Sequence, residues 1–215
     1  QRFANVLSES NFTFSPADSG QAKQALQAYT LLIAPYKSVI SQNQSAALAL
    51  LMNQVFNPAR DKLIAEFVTN STAIGNKPTI DGEVLVGDDR PNNDVDFDTT
   101  SSTLGALRLL GSDQNDLIFG EGSNDTLDGS IGDNVLYGGE GIDTLRVGSG
   151  NSYLSGGPGK DFYEISGTGT KHLIDSATDL QNDEVYFIEP DGTRKDIAGL
   201  FIRQGTENIW ISADR

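Results

Sequence analysis

From Leu109 to Tyr163 an apolar residue returns at every ninth position: Leu109, Ile118, Leu127, Leu136, Leu145, Leu154 and Tyr163. Seven returns at one spacing mark an internal repeat. A repeat of this kind builds a solenoid, in which each unit buries its apolar face only against its neighbours. The units read STLGALRLL, GSDQNDLIF, GEGSNDTLD, GSIGDNVLY, GGEGIDTLR, VGSGNSYLS and GGPGKDFYE. Each joins a loop rich in Gly, Asp and Asn to a short strand. Sixteen of the 23 glycines lie between Gly105 and Gly169, where they allow backbone conformations that a Cβ forbids. A strand such as Asp125-Thr126-Leu127 turns one residue inward, at position eight of the unit. Two units complete one coil, loop–strand–loop–strand. Stacked coils, with strands about 4.8 Å apart, then bury position eight between two parallel sheets.

An 18-residue coil sends successive loops to opposite edges. Position six shows this directly. One edge carries Asp125, Asp143 and Asp161, and the other carries Asp116, Asn134, Ser152 and Thr170. The acids persist together on the first edge and fade together on the second. Carboxylates stacked about 5 Å apart repel by roughly 1 kcal/mol in water and several-fold more near a protein surface. They need a counter-charge. Alternate carbonyls of an extended glycine-rich loop point to opposite sides, so one loop can serve an ion above it and an ion below. Six or more oxygen ligands suit calcium better than zinc or magnesium. Two sites are expected on the acid edge: one between the loops Gly120–Asp125 and Gly138–Asp143, the other between Gly138–Asp143 and Gly156–Asp161. The expected ligands are the carboxylates of Asp125, Asp143 and Asp161 together with the loop glycines Gly120, Gly122, Gly138, Gly139, Gly141, Gly156, Gly157 and Gly159. The opposite edge holds a weak ion at Asp116, or none.

These units resemble the repeats-in-toxin (RTX), haemolysin-type calcium-binding repeat, whose pattern is G-G-x-G-x-D-x-(large apolar)-x. GGEGIDTLR fits in full, and GGPGKDFYE fits with Tyr163 at the apolar position. GEGSNDTLD departs at Glu121 and Ser123, and GSIGDNVLY departs at the acid, Asn134. The resemblance covers about residues 102–170. The stretch GTGTKHLIDSATDLQNDEVYF (167–187) is similar to the segment that closes such rolls. The resemblance implies a bacterial protein secreted through type I machinery, with lipases, metalloproteases, pore-forming toxins and adhesins as the settings in which such modules occur.

The rest of the chain frames this module. Residues 1–70 read as helical, with Ser15-Pro16-Ala17-Asp18 as the first helix start. Ala22, Ala25, Leu26, Tyr29, Leu32 and Ile33 then follow the helical period. Pro35 ends that helix, a second covers about 38–56, and Asn57-Pro58 restarts a third with Leu63, Ile64, Phe67 and Val68 on one face. Residues 71–101 form a linker with entry strands. Asp94, Asp96 and Asp98 alternate there as in an EF-hand. That loop's sixth position would be Thr99 rather than Gly, and its twelfth Gly105 rather than Glu, so a solvated linker or an auxiliary ion site is expected instead. Residues 102–170 are the roll, and 171–215 are capping strands, with Ile209, Trp210 and Ile211 over the open sheet edge. The fold class is therefore mixed: an N-terminal α-helical segment, a parallel β-roll and a C-terminal β cap.

Composition supports calcium and excludes several alternatives. Thirty acidic residues against 15 basic ones give a net charge of −15, which disfavours nucleic acid and anionic membranes as partners. No cysteine is present, so neither disulfides nor thiolate metal sites are available. No apolar run reaches transmembrane length. The start at Gln1 is read as that of a mature, excised or trimmed piece, which leaves room for a catalytic or adhesive domain upstream. No G-x-S-x-G or H-E-x-x-H motif occurs, and the single histidine, His172, falls at position eight of a degenerate eighth unit, where a packing role is expected. Whether the parent protein is an enzyme stays open. The module itself is expected to fold on calcium outside the cell. Extracellular calcium modules bind at roughly 0.1–1 mM, far above cytosolic levels. A poorly apolar, acid-rich roll has little to hold it together without the ion.

Overall fold

The computed structural model describes residues 14–36, 40, 42–69, 78–87, 108–174, 183–197, 201–203 and 209–212. The chain divides into two compact units, Gln1–Ser71 and Thr72–Arg215. The first is helical and the second is a β-solenoid. Asp94, Asp96, Asp98, Gly105 and Asp175 lie outside the described residues.

In the helical unit, α1 spans Ser19–Leu32, α2 Gln42–Leu51 and α3 Asn57–Leu63. Helix α1 starts three residues later than the sequence suggests. Its N-cap is Asp18, whose carboxylate accepts the Gln21 N–H at 2.9 Å, the bond an N-cap exists to make. Ala22, Leu26 and Tyr29 are buried as the periodicity implies, but Leu32 is 68% exposed. Tyr29 packs against Phe56 with ring centroids 5.3 Å apart. Asn57-Pro58 does not restart a helix. The chain runs on helically through a π-turn at Met52–Phe56 directly into α3. Proline cannot donate to the carbonyl four residues back and its ring crowds that carbonyl. The wider turn relieves the crowding, and the freed Gln54 carbonyl accepts the Phe14 N–H instead.

In the solenoid unit two sheets face each other. The first has the order β1-β3-β5-β7-β9-β13-β12 and the second β11-β10-β8-β6-β4-β2. The strands of the first are β1 Val84–Val86, β3 Leu117–Gly122, β5 Val135–Glu140, β7 Ser152–Ser155, β9 Lys171–Ile174, β12 Phe201–Arg203 and β13 Ile209–Ser212. Those of the second are β2 Arg108–Leu110, β4 Thr126–Asp128, β6 Thr144–Val147, β8 Phe162–Ile165, β10 Glu184–Ile188 and β11 Arg194–Asp196. Parallel pairing follows the coil: Ile118 faces Leu136, and Leu136 faces Leu154. In the other sheet Leu109, Leu127, Leu145 and Tyr163 align in turn. All seven position-eight residues are at most 3% exposed. Tyr163 fits inside because its hydroxyl accepts the Gly156 N–H at 2.9 Å, which satisfies a polar atom that burial would otherwise penalise.

The 18-residue step gives way at the ends of the stack: Val84 pairs with Leu117, a step of 33, and Tyr163 with Val185, a step of 22. Leu154 pairs with Leu173 and Tyr153 with His172, a step of 19. The loop before β9 takes in one extra residue. Position eight of this coil is therefore Leu173, fully buried, and not His172. His172 is half-buried and stacks on Tyr153 with centroids 4.3 Å apart. The parallel stacking ends at β13 and β11, which pair antiparallel with β9 and β10. An antiparallel last strand takes up the open ladder edge that would otherwise offer itself to another chain.

The two sheets also differ on their other side. At positions seven and nine the first sheet has Leu117, Phe119, Val135 and Tyr153, all buried. The second has Thr126, Asp128, Thr144, Arg146 and Glu164. There Glu164 pairs with Arg146 and Arg194, and Asp128 with Arg108. These half-exposed ion pairs each contribute at most about 1 kcal/mol, so the core carries the stability. Leu145→Ala should cost about 2–5 kcal/mol, because the cavity would lie between Leu127 and Tyr163 in the middle of the stack. Urea unfolding of the calcium-loaded chain measures it.

Candidate metal centre

Backbone shape comes first. Left-handed φ values recur at positions two and four of the loops: Gly139 +115°, Gly141 +139°, Gly157 +104° and Gly159 +146°. The first loop of the acid edge keeps that shape with Glu121 at +79° and Ser123 at +92°, at about 1–2 kcal/mol of strain each. The shape brings successive loops into backbone contact. The Gly139 N–H donates to the Gly156 carbonyl at 2.8 Å, and the Gly141 N–H to the Pro158 carbonyl at 3.2 Å. Gly122 sits at the end of β3, paired with Glu140.

On this scaffold the acid edge forms a ladder. The Asp125 N–H donates to Oδ1 of Asp143 at 2.7 Å, and the Asp143 N–H to Oδ1 of Asp161 at 2.8 Å. Each carboxylate is thus fixed by the amide one coil earlier. Asp125, Asp143 and Asp161 are at most 3% exposed. The ladder has a further rung that the repeat pattern does not reveal: the Asp161 N–H donates to Oδ1 of Asp183 at 2.9 Å. Asp183 follows Asp161 by 22 residues, off the period. Its only sequence signal is Asn182-Asp183 ahead of the apolar Val185, which echoes Asn124-Asp125 ahead of Leu127.

The second carboxylate oxygen is the informative one. Oδ2 of Asp143 is buried and accepts no hydrogen bond. The same atom of Asp125 and of Asp161 is buried without a hydrogen bond, although both residues interact in other ways. An ionised oxygen withdrawn from water without compensation is costly. These atoms point into a space that exists because position one is glycine. Oδ2 of Asp143 and the Gly156 carbonyl oxygen lie 2.3 and 2.5 Å from where a Cβ of Gly138 would sit. Oδ2 of Asp125 and the Gly138 carbonyl oxygen lie 2.7 and 2.4 Å from the same point on Gly120, and Oδ2 of Asp161 lies 2.0 Å from it on Gly156. Oxygens from adjacent loops therefore converge over Gly120 and again over Gly138.

Burial pushes the Asp143 carboxyl up to about 6, partly offset by the Asp125 N–H. A carboxyl raised on folding stabilises the fold when protonated, and that contribution is lost as pH rises through the raised value. Above about pH 6 the ionised Asp143 therefore works against a metal-free roll, and a cation reverses the sign. Among the described residues no three Asp, Glu, His or Cys side chains come together. The donors here are instead one carboxylate per loop plus backbone carbonyls. That oxygen set fits a large, hard cation and does not fit zinc.

The second edge is built otherwise. Asp116 is fully buried, and its carboxylate accepts the Ser112 N–H at 2.8 Å, the Ser112 hydroxyl at 2.9 Å and the Glu83 N–H. Burial raises its pKa, and these donors oppose the rise. The ladder continues with neutral groups. Asn134 Oδ1 accepts the Asp116 N–H at 2.9 Å, and the Ser152 hydroxyl accepts the Asn134 N–H at 3.4 Å. The inserted residue then moves Thr170 out of position six and puts Lys171 there, paired with Ser152.

The description "RTX calcium-binding nonapeptide repeat (4 copies)" matches this chain at residues 108–136 and 137–164. Searches of curated proteins and of solved structures returned no match. No helix among the described residues is long and apolar enough to cross a membrane. The matched residues are the coils whose loops carry the Asp125–Asp143–Asp161 ladder: this segment is a β-roll of RTX repeats, a family that binds calcium.

Proposed function

We propose that this chain is a calcium-triggered folding module of a secreted bacterial protein, with its calcium held between successive loops of the acid edge. Asp125, Asp143 and Asp161 supply carboxylate oxygens, and the loops that begin at Gly120, Gly138 and Gly156 supply carbonyls. The Gly138–Asp143 loop serves both inter-loop positions. Asp116 belongs to a different class: N–H and O–H donors already satisfy both of its carboxylate oxygens, so we assign it a structural role rather than a ligand role. The observation that carries this reading is the buried Oδ2 of Asp143 aimed, with the Gly156 carbonyl, into the cradle over Gly138. Bound calcium supplies the positive charge that lets these carboxylates stay ionised and buried together. The binding free energy is then folding free energy. Affinity in the range of extracellular modules, about 0.1–1 mM, would leave the roll open where calcium is scarce and close it outside the cell, in keeping with export through type I machinery ahead of folding. The activity of the parent protein would reside in other segments.

Calorimetric titration of the full chain tests this reading. Calcium should bind at two acid-edge positions with affinity in that range, and magnesium much more weakly, because it demands a tight octahedral cage that two flexible loops do not offer. Absence of calcium binding, or tighter binding of zinc, would overturn it.

A further inference from the structure

We propose that the second edge carries a cation of its own, the Lys171 ammonium, seated between two successive loops as calcium is on the acid edge. Lys171 is 1% exposed. Its Nζ donates to the Gly150 carbonyl of the preceding loop and, at 3.1 Å, to the Thr168 carbonyl of its own loop. Carbonyls from two consecutive loops meeting one positive charge is the donor set expected around an ion in such a roll. The loops match as well. Gly150 at +132°, Gly167 at +67° and Gly169 at +101° take the left-handed backbone that Gly141, Gly157 and Gly159 take on the acid edge. Lys171 stands at position six, where the acid edge has Asp143 and Asp161. It arrives there because the loop before β9 is one residue longer than its predecessors.

The chemistry of the neighbours agrees. Ser152, opposite Lys171, is neutral, so the lysine meets no position-six carboxylate. Asp133, from the loop before that, favours the charged form. Burial lowers the Lys171 pKa to about 8, which leaves the amine charged at neutral pH. His172, next on β9, is held below its ordinary value by burial and adds no positive charge there. The result is a pre-filled cation position: the final coil of this edge is bridged by a side chain and takes no metal. Global stability is a poor readout of this role, because a buried ammonium carries a desolvation cost that can match what its hydrogen bonds return.

Two measurements on the full chain decide it. The first is the Lys171 side-chain nitrogen signal in the calcium-loaded parent by NMR. A seated ammonium exchanges its protons slowly at pH 6–7, roughly tenfold or more slower than surface lysines, and Lys171→Arg removes the signal and so assigns it. The second is the number of calcium ions bound by parent and by Lys171→Asp, which completes G-x-G-x-D in this loop. One additional ion in the variant is expected. A fast-exchanging Lys171 ammonium, or a folded Lys171→Asp chain with the parent's ion count, overturns the proposal. If the variant does not fold, the ammonium signal of the parent decides alone. This inference rests on calcium lying between loops of the acid edge. A parent that binds no calcium at all would instead refute that reading, with the slow ammonium still informative about Lys171.

Discussion

An Asp143→Ala chain should need at least roughly ten times more calcium than the parent to recover the same β circular-dichroism signal. Asp143 is the middle rung of the acid ladder: its Oδ1 holds the Asp125 N–H and its Oδ2 faces the cradle over Gly138. The loop it closes borders both inter-loop positions. Its removal therefore weakens two sites at once, and it also strips the Asp125 amide of its acceptor. Removal of an outer acid such as Asp161 should affect one of the two positions more than the other. Asp191→Ala is the control for charge alone. Asp191 is an exposed turn residue whose carboxylate accepts the Thr193 N–H, and its loss should shift the midpoint less than about twofold. Equal midpoints for Asp143→Ala and the parent would remove Asp143 from the calcium centre.

The second large effect is steric. In Gly139→Ala the added methyl would lie 1.7 Å from the Glu121 carbonyl oxygen of the preceding coil, on a residue at φ +115°. No rotamer relieves a clash between a Cβ and a backbone oxygen. Either the coil spacing opens or the loop changes shape, and both break the Gly139 N–H bond to Gly156. We expect a loss of about 3 kcal/mol or more in urea unfolding at saturating calcium. Gly192→Ala separates the two contributions. Gly192 also has positive φ, at +84°, but a Cβ there would meet nothing within 4 Å. It should lose only the conformational part, about 1 kcal/mol. If Gly139→Ala proves no worse than Gly192→Ala, the loops do not stack as closely as described.

Much of the architecture was legible because a solenoid turns one local rule into a global one. Each coil packs only on the next, so a spacing of nine fixes which residues turn inward and a spacing of 18 fixes which loops share an edge. The inward residues Leu109 to Tyr163 and the co-aligned Asp125, Asp143 and Asp161 follow from that period alone. Glu121 and Ser123, which depart from the glycine pattern, still adopt its backbone. Stacking on neighbouring coils outweighs their local preference.

What the period could not supply lies where the chain leaves it. One extra residue before β9 exchanged His172 for Leu173 in the core and Thr170 for Lys171 at position six. A longer excursion brought Asp183 onto the acid ladder. The period suggests a weak ion at Asp116 and does not show that its carboxylate accepts the N–H of Glu83, 33 residues earlier. In the helical unit, Asn57-Pro58 reads as the start of a third helix, yet a π-turn and the distant Phe14 N–H carry the preceding helix through it. The sequence by itself determined the repeat, its coil length, the acid edge and the glycine loops, because these are set by contacts between residues a constant distance apart. Only the tertiary structure decided which residue fills position six of the last coil and which carboxylates already have hydrogen-bond donors, because those partners come from insertions and remote segments that share no spacing with the repeat.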